Sequence, residues 1–427
     1  MVPEEIQEFM VFLKESPTAW HAVRELQERL LKADFICLSQ SERWDIQPGK
    51  RYFTIKNGSS LCAFVAPLNP PTLVRLAASH TDSPSLKLKP HSEFYRNSMV
   101  LFGVEVYGGP LLSSWLNRDL GIAGRVIVKD ADGSIVEKLV RLEDYPVVIP
   151  QLAIHLDPQV NENGLVLNKQ NHLSALAALE LPLGAKGYLD WLLKHAIGEH
   201  LVLGADLFLF PLEGPSFIGY AKEMLAAYRI DSLASVHAIW GALEQTLEPE
   251  NENLKMMVVW DNEEIGSATA QGAESPFLAH TLERIMIGYN QTREDYLRLL
   301  NNSMCISVDL AHAVHPNYLE KHDPLHQPVL GEGIVLKSNA KQRYASEAWT
   351  SALITHLCQK EKIPLQHFVS RGDMPCGSTI GPLHATSTGM PTVDIGCPQL
   401  SMHAARELMA NIDYLHMRRL LEAFFKF

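Results

Sequence analysis

The sequence predicts an α/β fold, in which helices pack against a layered sheet and a β-rich segment is inserted. Three observations predict this fold. The chain has 427 residues, 46% of them hydrophobic, so it can bury a large core in more than one domain. Strand and helix patterns alternate from residue 214 onward. Between about 92 and 225, short strands separated by Gly and Asp turns replace that alternation.

The first part of the chain combines two helices with a buried strand. Apolar side chains in residues 4–31 recur at helical spacing. Ser16 and Pro17 mark the boundary between two amphipathic helices, with Pro17 expected at the first position of the second. The stretch TLVRLAASHTDSP, residues 72–84, is predicted to be a buried strand that ends in a polar loop.

The middle of the chain has the pattern of antiparallel β-structure. Its predicted strands are MVLFGVEVYGG, GRVIVKD, GSIVEKLVRL and, after a polar stretch, GADLFLFPL. We therefore predict an inserted β-rich domain over residues 92–225. The main domain is then discontinuous, formed by residues 1–91 and 226–427.

The last part alternates helix and strand. MLAAYRIDSL has a helical pattern, and SLASVHAIWGALEQTL, residues 277–301 and SEAWTSALITHLCQKEKI are predicted helices. The predicted strands are residues 256–260, MCISVDL, LQHFVS and MPTVDIG. This alternation favours a layered α/β sheet.

Composition and charge exclude several classes of protein. The net charge of −12 gives no support for binding to nucleic-acid phosphates. No stretch approaches the roughly 20 apolar residues of a spanning helix, and the start lacks a basic signal-peptide region, so we expect no membrane association. Six dispersed cysteines without a CxxC pair indicate reduced thiols and a cytoplasmic protein.

Charged and imidazole side chains follow five apolar runs of the sequence. In open α/β sheets, sites form beyond the carboxyl ends of the strands. Each such residue alone has an ordinary explanation as a cap, a turn or a solvated face. Together they favour a site for two divalent ions, because three carboxylates and one hydroxide balance two dications. The residues are His80 with Asp82, Asp231, Glu263 with Glu264, Asp309 with His312 and His315, and His403.

The adjacent glutamates suggest two roles at one backbone position. Neighbouring side chains diverge, so one of Glu263 and Glu264 can ligate a metal while the other takes a proton from water. Gly266 allows the backbone to turn directly afterwards. Asp82, two residues after His80, is placed to fix the tautomer of that imidazole.

The chain resembles the M18 metallopeptidases, the aspartyl aminopeptidases, over nearly its whole length. No single motif carries this resemblance, but together the motifs are specific. They are SHTDSPSLKLKP, WLNRDLGIAGRV, IPQLAIHLDPQVNENG, LNKQNHL, RIDSL, DNEEIGSATAQGA, VDLAHAVHPNY, GIVLKSNAKQRYAS, GSTIGP and TVDIGCPQLSMHAARE.

The resemblance implies a role for each candidate residue. One metal is held by His80, Asp231 and Asp309, and the other by Asp231, Glu264 and His403, so that Asp231 bridges them. Glu263 is the general base. His312, Lys337 and Tyr344 match residues that bind substrate. His155 matches a histidine that reaches a neighbouring subunit's site and binds either metal or substrate there.

The resemblance also implies the assembly and the activity. We expect a three-layer α/β/α catalytic domain, an inserted dimerisation domain and a dodecamer built from dimers. Two divalent ions per chain are expected, zinc first, with cobalt or manganese as alternatives. The implied substrates are peptides with acidic N-termini. Three residues depart from the family pattern, namely Asn117, Ser232 and Asn262.

Other functions remain open at this point. A related dinuclear aminopeptidase of neutral or broad specificity has the same ligands. A metal-dependent deacylase or carboxypeptidase needs an arginine clamp, for which Arg229 and Arg371 are the residues left open. A non-catalytic metal-binding scaffold could keep the fold without the chemistry.

Overall fold

The computed structural model describes residues 2–427, which divide into two compact units. The first unit comprises the residues up to Asp82, then Ser216–Met402 and Glu407–Phe427. The second comprises Ser83–Pro215 and the short segment His403–Arg406. The domain boundaries predicted from the sequence, at 91/92 and 225/226, differ from these unit boundaries by about ten residues and stay predictions.

The helices fall in both units. They are α1 (Glu4–Glu15), α2 (Ala19–Lys32), α3 (Val160–Asn163), α4 (Tyr188–Ile197), α5 (Ile230–Glu244), α6 (Phe277–Gly288), α7 (Arg293–Asn302), α8 (Ala348–Glu361), α9 (Gly381–Thr388) and α10 (Asn411–Phe425). No helix among residues 2–427 has the length and apolar character needed to cross a membrane.

The strands form three sheets. They are β1 (Ile36–Cys37), β2 (Arg51–Lys56), β3 (Ser60–Val65), β4 (Leu73–His80), β5 (Ser85–Arg96), β6 (Met99–Tyr107), β7 (Leu120–Lys129), β8 (Ile135–Val147), β9 (Ala175–Ala178), β10 (Leu201–Pro211), β11 (Ser216–Ile218), β12 (Met224–Ala227), β13 (Asn253–Trp260), β14 (Met304–Val308), β15 (Ala311–His312), β16 (Ile334–Lys337), β17 (Leu365–Phe368), β18 (Thr392–Gly396), β19 (Pro398–Leu400) and β20 (Glu407–Ala410).

The first unit is built on a nine-stranded sheet in the order β1-β2-β3-β13-β4-β14-β18-β16-β17. Its central strands β13, β4, β14 and β18 are parallel to one another. Antiparallel pairings of β3 with β13 and of β16 with β18 flank them. A smaller sheet, β11-β12-β20-β19-β15, belongs to the same unit. The α/β class predicted from the sequence is confirmed.

Alternate side chains of β13 enter two separate hydrophobic cores. Met257 and Val259 pack with residues of α1, α2, α5, α8 and α10. Met256, Val258 and Trp260 pack with residues of α6 and α7. Because side chains alternate across a strand, the nearly continuous apolar run of β13 reflects burial on both faces of the sheet.

The second unit contains a six-stranded sheet in the order β8-β7-β10-β5-β6-β9, and its named pairings are antiparallel. Gly124 is required by the close approach of β7 and β10, since a Cβ there would lie 2.0 Å from the backbone oxygen of Asp206. Asp206 in turn pairs with Lys87 at 2.6 Å and with Arg125 at 3.0 Å.

Several sequence-based assignments need correction. MLAAYRIDSL is not helical throughout, because its first residues form β12 and α5 begins only at Ile230. The pairing of β12 with β20 supplies the tertiary contact that overrides local helical pattern. The predicted helix 277–301 is two helices, α6 and α7. The second helix begins after Thr292, which forms a capping box with Asp295. Pro17 precedes α2 by two residues and is not its first residue.

Candidate metal centre

Three donors from distant parts of the chain meet at one edge of the large sheet. His80 Nε2 lies 3.3 Å from Asp231 Oδ1 and 3.5 Å from Asp309 Oδ1. Donor atoms of the three residues lie within 4.8 Å of one another, close enough to share one ion. His80 and Asp231 are buried, and the Asp309 side chain is 13% exposed. Imidazole nitrogen and carboxylate oxygen are ligands that zinc takes.

Strand register explains why these residues meet. β4 and β13 run parallel with Trp260 opposite His80, so the two strands end at the same level. β14 also runs parallel to β4, with Ser307 opposite Ala78, which brings Asp309 to the level of His80. The carboxyl ends of parallel strands therefore gather the donors at one edge.

Asp231 enters this edge from the start of α5. Its backbone N–H donates to Oε2 of the buried Glu407 at 3.0 Å. Two residues earlier, Arg229 has a φ of 66° and a buried guanidinium that donates to the carbonyls of Thr81 and Pro17. Thr81 directly follows His80, so Arg229 joins the segments that carry His80 and Asp231. Sequence reasoning identified neither Glu407 nor this role of Arg229, because neither has a local signal.

Glu263 and Glu264 lie in a single 3-10 turn, Glu263–Ile265, just beyond β13. Donor atoms of both residues and of His80 lie within 4.8 Å of one another. Gly266 follows the turn with a φ of 96°, a backbone conformation that residues other than glycine rarely adopt. The adjacent glutamates are thus part of the same carboxylate-rich edge as His80.

Asp82 supports both the imidazole and the glutamate turn. His80 Nδ1 lies 3.1 Å from the backbone oxygen of Asp82 and 3.4 Å from its Oδ1. A proton on Nδ1 donated there leaves the lone pair of Nε2 for a metal. The Asp82 carboxylate also accepts the backbone N–H groups of Glu263 and Glu264, each at 3.1 Å. This second contact was not foreseen from the sequence.

The electrostatics of the edge suit a bound cation. Burial raises the pKa of Glu263 to about 8, and the nearby Asp309 and Asp82 add to this effect. Burial likewise raises the pKa of Glu264 well above its ordinary value. Clustered carboxylates without a cation repel one another and hold protons, whereas a dication among them favours their ionised forms. The residues present therefore fit a divalent metal.

Contacts with groups of opposite charge shift the pKa of His80 upward and the pKa of Asp309 downward. Burial alone would lower the pKa of His80, but hydrogen bonds to Asp231, Asp309 and Asp82 outweigh burial and raise it well above its ordinary value. Burial alone would raise the pKa of Asp309, but the positive charge of Lys337 and the contact with His80 lower it instead. Asp309 is thus ionised and available as a ligand.

His403 lies in the segment His403–Arg406, which packs with the second unit. Within that unit its Nδ1 lies 3.1 Å from the backbone oxygen of Gly109, and its φ is 67°. Three residues earlier the chain leaves β19 of the first unit. Its role as a ligand stays a prediction.

Lys337 and Tyr344 are both buried in the first unit. Lys337 ends β16, and its Nζ lies 3.4 Å from Asp309 Oδ2 and 3.0 Å from the backbone oxygen of Leu310. The same Nζ lies 5.2 Å from the centre of the Tyr344 ring. Lys337 is therefore not an ordinary surface lysine, and its charge faces the candidate metal centre.

The other two predicted substrate contacts are exposed. His312 lies on β15, and the centre of its ring is 5.8 Å from that of Phe368. His155 belongs to a 3-10 turn, Ile154–Leu156, of the second unit. Arg371, the other residue left open as a clamp, is engaged with Asp373 at 2.7 Å.

The three departures from the family pattern have structural roles of their own. Ser232 Oγ accepts a hydrogen bond from Ser79 Oγ at 3.2 Å. Asn262 Oδ1 accepts bonds from Thr269 Oγ1 and from the side chain of Gln271, at 2.9 and 2.8 Å. Asn117 Oδ1 accepts the backbone N–H of Gln151 at 2.9 Å.

Comparison with known proteins gives matches over nearly the whole chain. The family model described as "Aminopeptidase I zinc metalloprotease (M18)" matches residues 12–425. "Probable M18 family aminopeptidase 2" of Pseudomonas aeruginosa is 40% identical over 421 residues, 97% of this chain and 96% of that protein. The protein of the same name from Streptomyces avermitilis is 40% identical over 424 residues, 98% of this chain and 96% of that protein.

Solved structures agree with these sequence matches. The structure titled "Cryo-EM structure of the Ape4 and Nbr1 complex" has a TM-score of 0.94 at 34% identity and covers 99% of this chain and 85% of that one. "Structure of S. cerevesiae mApe1 dodecamer" has a TM-score of 0.85 at 29% identity, with 99% and 96% covered. An M18 aminopeptidase from Thermotoga maritima shares the fold, with a TM-score of 0.85 at 22% identity and coverage of 98% and 95%.

Histidine and carboxylate donors gathered beyond parallel strands of an α/β sheet match the ligand set of a metal-dependent hydrolase. This one is a peptidase, since the family match extends from the helices of the first unit to α10. The chain belongs to the M18 family of zinc metalloproteases, and its activity class is that of an aminopeptidase. The family predicted from the sequence motifs is confirmed.

Proposed function

We propose that the protein is a dinuclear aminopeptidase that removes N-terminal residues from peptides and prefers Asp or Glu at that position. The observation that carries the proposal is that His80 is part of two donor groups, one with Asp231 and Asp309 and one with Glu263 and Glu264. His80, Asp231 and Asp309 with one water would complete a tetrahedral site, which leaves Glu264 as a donor for a second ion and Glu263 as the base. The family description supports zinc, with cobalt or manganese as alternatives.

We assign the ligands of the two ions as follows. His80, Asp231 and Asp309 would hold one ion, and their close approach supports this. Asp231, Glu264 and His403 would hold the other. Asp231 would be shared, and the bond from its N–H to Glu407 holds its backbone in place.

The chain's own residues divide the work of hydrolysis. Bound zinc would polarise the scissile carbonyl and make a water easier to deprotonate. Glu263 takes a proton from that water and then passes it to the leaving amine. Its carboxyl lies beside the candidate ligands His80 and Glu264, and a dication there would favour the ionised form that accepts the proton. Tyr344 or His312 donates a hydrogen bond to the oxygen on which negative charge develops.

A preference for acidic N-termini requires a positive group near the substrate side chain. Lys337 is one candidate, because its buried ammonium contacts Asp309 at this edge. His155 of the second unit is the other, and it would act on the site of a neighbouring subunit. The two residues together would favour a carboxylate over an apolar side chain.

A substrate panel tests the proposal. The protein is purified with zinc, cobalt or manganese, and release is measured from Asp-, Glu-, Leu- and Ala-arylamides. We expect faster cleavage of the Asp and Glu compounds and close to two metal equivalents per chain. Equal rates on all four would indicate a broad aminopeptidase, while full metal content without cleavage would indicate a scaffold.

We further propose a cytoplasmic dodecamer built from dimers, with the second unit as the dimerisation domain. Exposed apolar side chains on that unit support an interface, among them Leu156 at 72% and Val166 at 84% exposure. The solved relative titled as a dodecamer supports the assembly. All six cysteines are free thiols, which suits a reducing compartment. Size-exclusion chromatography with light scattering tests the assembly.

A further inference from the structure

Asp394 is a buried carboxylate that is not among the candidate metal ligands. It lies on β18, opposite Ser307 of β14, and its side chain is fully buried. A buried carboxylate is costly unless it is hydrogen-bonded, so the partners of Asp394 indicate what it does.

The carboxylate of Asp394 connects two loops at the ends of neighbouring strands. Its Oδ2 accepts the backbone N–H of Ala345 at 2.6 Å, in the loop 338–347 that follows β16. Its Oδ1 accepts the hydroxyl of Thr379 at 2.6 Å, in the loop 369–380 that follows β17. The backbone N–H of Asp394 also donates to Ser346 Oγ at 3.0 Å. One side chain therefore fixes both loops to the sheet.

The start of α9 is shaped around the same carboxylate. A Cβ at Gly381 would lie 2.3 Å from Asp394 Oδ2, so this position excludes any side chain. The backbone N–H of Gly381 donates to Thr379 Oγ1 at 3.3 Å, while that hydroxyl donates to Asp394. The hydroxyl of Thr379 thus has its donor and its acceptor positions in use.

The loop 338–347 places Tyr344, the residue directly before Ala345. The Tyr344 ring lies 5.2 Å from Lys337 Nζ, and Nζ lies 3.4 Å from Asp309 Oδ2. A continuous set of contacts therefore runs from Asp394 through Tyr344 and Lys337 to a candidate metal ligand. Small displacements of a substrate-contacting group have large effects on rate.

We propose that Asp394, with Thr379 bound to it, is a positioning residue that sets Tyr344 against the substrate. The proposal rests on the assignment of Tyr344 as a substrate contact. If the proposal holds, removing the hydrogen bonds of Thr379 lowers activity only because Tyr344 is then misplaced. A general loss of stability would lower activity whether or not Tyr344 has its hydroxyl.

A double-mutant cycle between Thr379 and Tyr344 tests this. Asp394→Ala would leave a buried gap and could prevent folding. Thr379→Val therefore carries the test, because it removes only the two hydrogen bonds of the Thr379 hydroxyl and keeps the shape of the side chain. We expect Thr379→Val to lower kcat/KM about tenfold with metal content unchanged, and Thr379→Ser to restore it. In a Tyr344→Phe background, Thr379→Val should change kcat/KM less than about twofold. Thr386→Val, at an exposed threonine of α9, is the matched control.

The cycle is measured on whichever of the four arylamides is cleaved fastest, so loss of the acidic preference does not affect it. Independent, multiplicative effects of Thr379→Val and Tyr344→Phe would overturn the positioning role, and so would normal activity of Thr379→Val. Absence of cleavage of all four arylamides would overturn this proposal together with the proposed function.

Discussion

The ammonium of Lys337 lies 3.4 Å from Oδ2 of Asp309, so a buried positive charge contacts a candidate metal ligand. The same Nζ donates to the backbone oxygen of Leu310 at 3.0 Å. This pair places a positive charge beside the candidate ligand. The charge keeps Asp309 ionised, which a ligand must be before it can bind a metal.

We expect Lys337→Met to make metal loading more dependent on pH. Without the ammonium, the pKa of Asp309 rises, protons compete with the metal at higher pH, and the midpoint of loading moves upward. Zinc content measured across about pH 4 to pH 8 after equilibration tests this. Lys341→Met, at an exposed lysine of the next loop, is the control. An unchanged midpoint in Lys337→Met would contradict the coupling.

Glu263→Gln should retain metal and lose turnover. Glutamine keeps the size of the side chain but cannot accept the proton from water, and positioned acid–base groups contribute about 10² to 10⁴ in rate. Metal analysis and kcat on the best arylamide measure the two properties separately. Glu274→Gln, with the same charge change at an exposed position, should behave like the wild type. Near-normal turnover in Glu263→Gln would mean that another group is the base.

Asp82→Asn should weaken metal binding without removing a ligand. The amide can accept only one of the two backbone N–H groups now bound at 3.1 Å, and its own N–H₂ group faces the other donor. Loss of support behind a ligand commonly costs about 10- to 100-fold in metal affinity. Competition for zinc with a chelating dye measures the affinity. The idea fails if Asp82→Asn holds zinc as tightly as the wild type.

Mixed oligomers can show whether His155 serves a neighbouring site. His155→Ala and Glu263→Gln should each be poorly active alone. Oligomers reassembled from both should regain activity, because some sites then combine an intact Glu263 with His155 of another subunit. The control is a mixture of the His155→Ala variant with the double variant that carries both His155→Ala and Glu263→Gln. This mixture should regain no activity, because neither subunit supplies His155. Equal activity in the two mixtures would place His155 outside the neighbouring site.

Stability should fall in mild acid because of His384. Burial lowers the pKa of this residue to about 4, and its Nε2 accepts a bond from Trp260 Nε1 at 2.8 Å. The unfolded chain binds a proton below about pH 6.5 and the native chain does not. The contribution of His384 is therefore complete above about pH 6.5 and is lost as pH falls toward about 4, at a cost of roughly 3 kcal/mol.

The comparison for this prediction is His384→Gln against exposed His280→Gln. The apparent melting temperature is measured at about pH 7.5 and about pH 4.5 in the same buffer. We expect the drop between these two conditions to be smaller in His384→Gln than in the wild type. An equally large drop in both would assign the acid sensitivity to other groups.

The sequence by itself determined the class of fold, the family and the residues to examine. Apolar runs ending at His80, Trp260 and Val308 are local signals, and the polar residues beyond them could be read directly. It did not determine the strand β12, because 'MLAAYRIDSL' has a helical pattern and only pairing with β20 makes its start extended.

Only the tertiary structure decided which of those residues lie close together and which contacts hold them there. The register of β4 against β13 and β14 sets the level of His80, and register depends on pairing between distant segments. The local sequence also does not reveal the burial of Lys337 or the hydrogen bonds that Asp82 accepts from the glutamate turn. The residue type alone determines the chemistry of a side chain, whereas the packing of the whole chain determines which groups surround it.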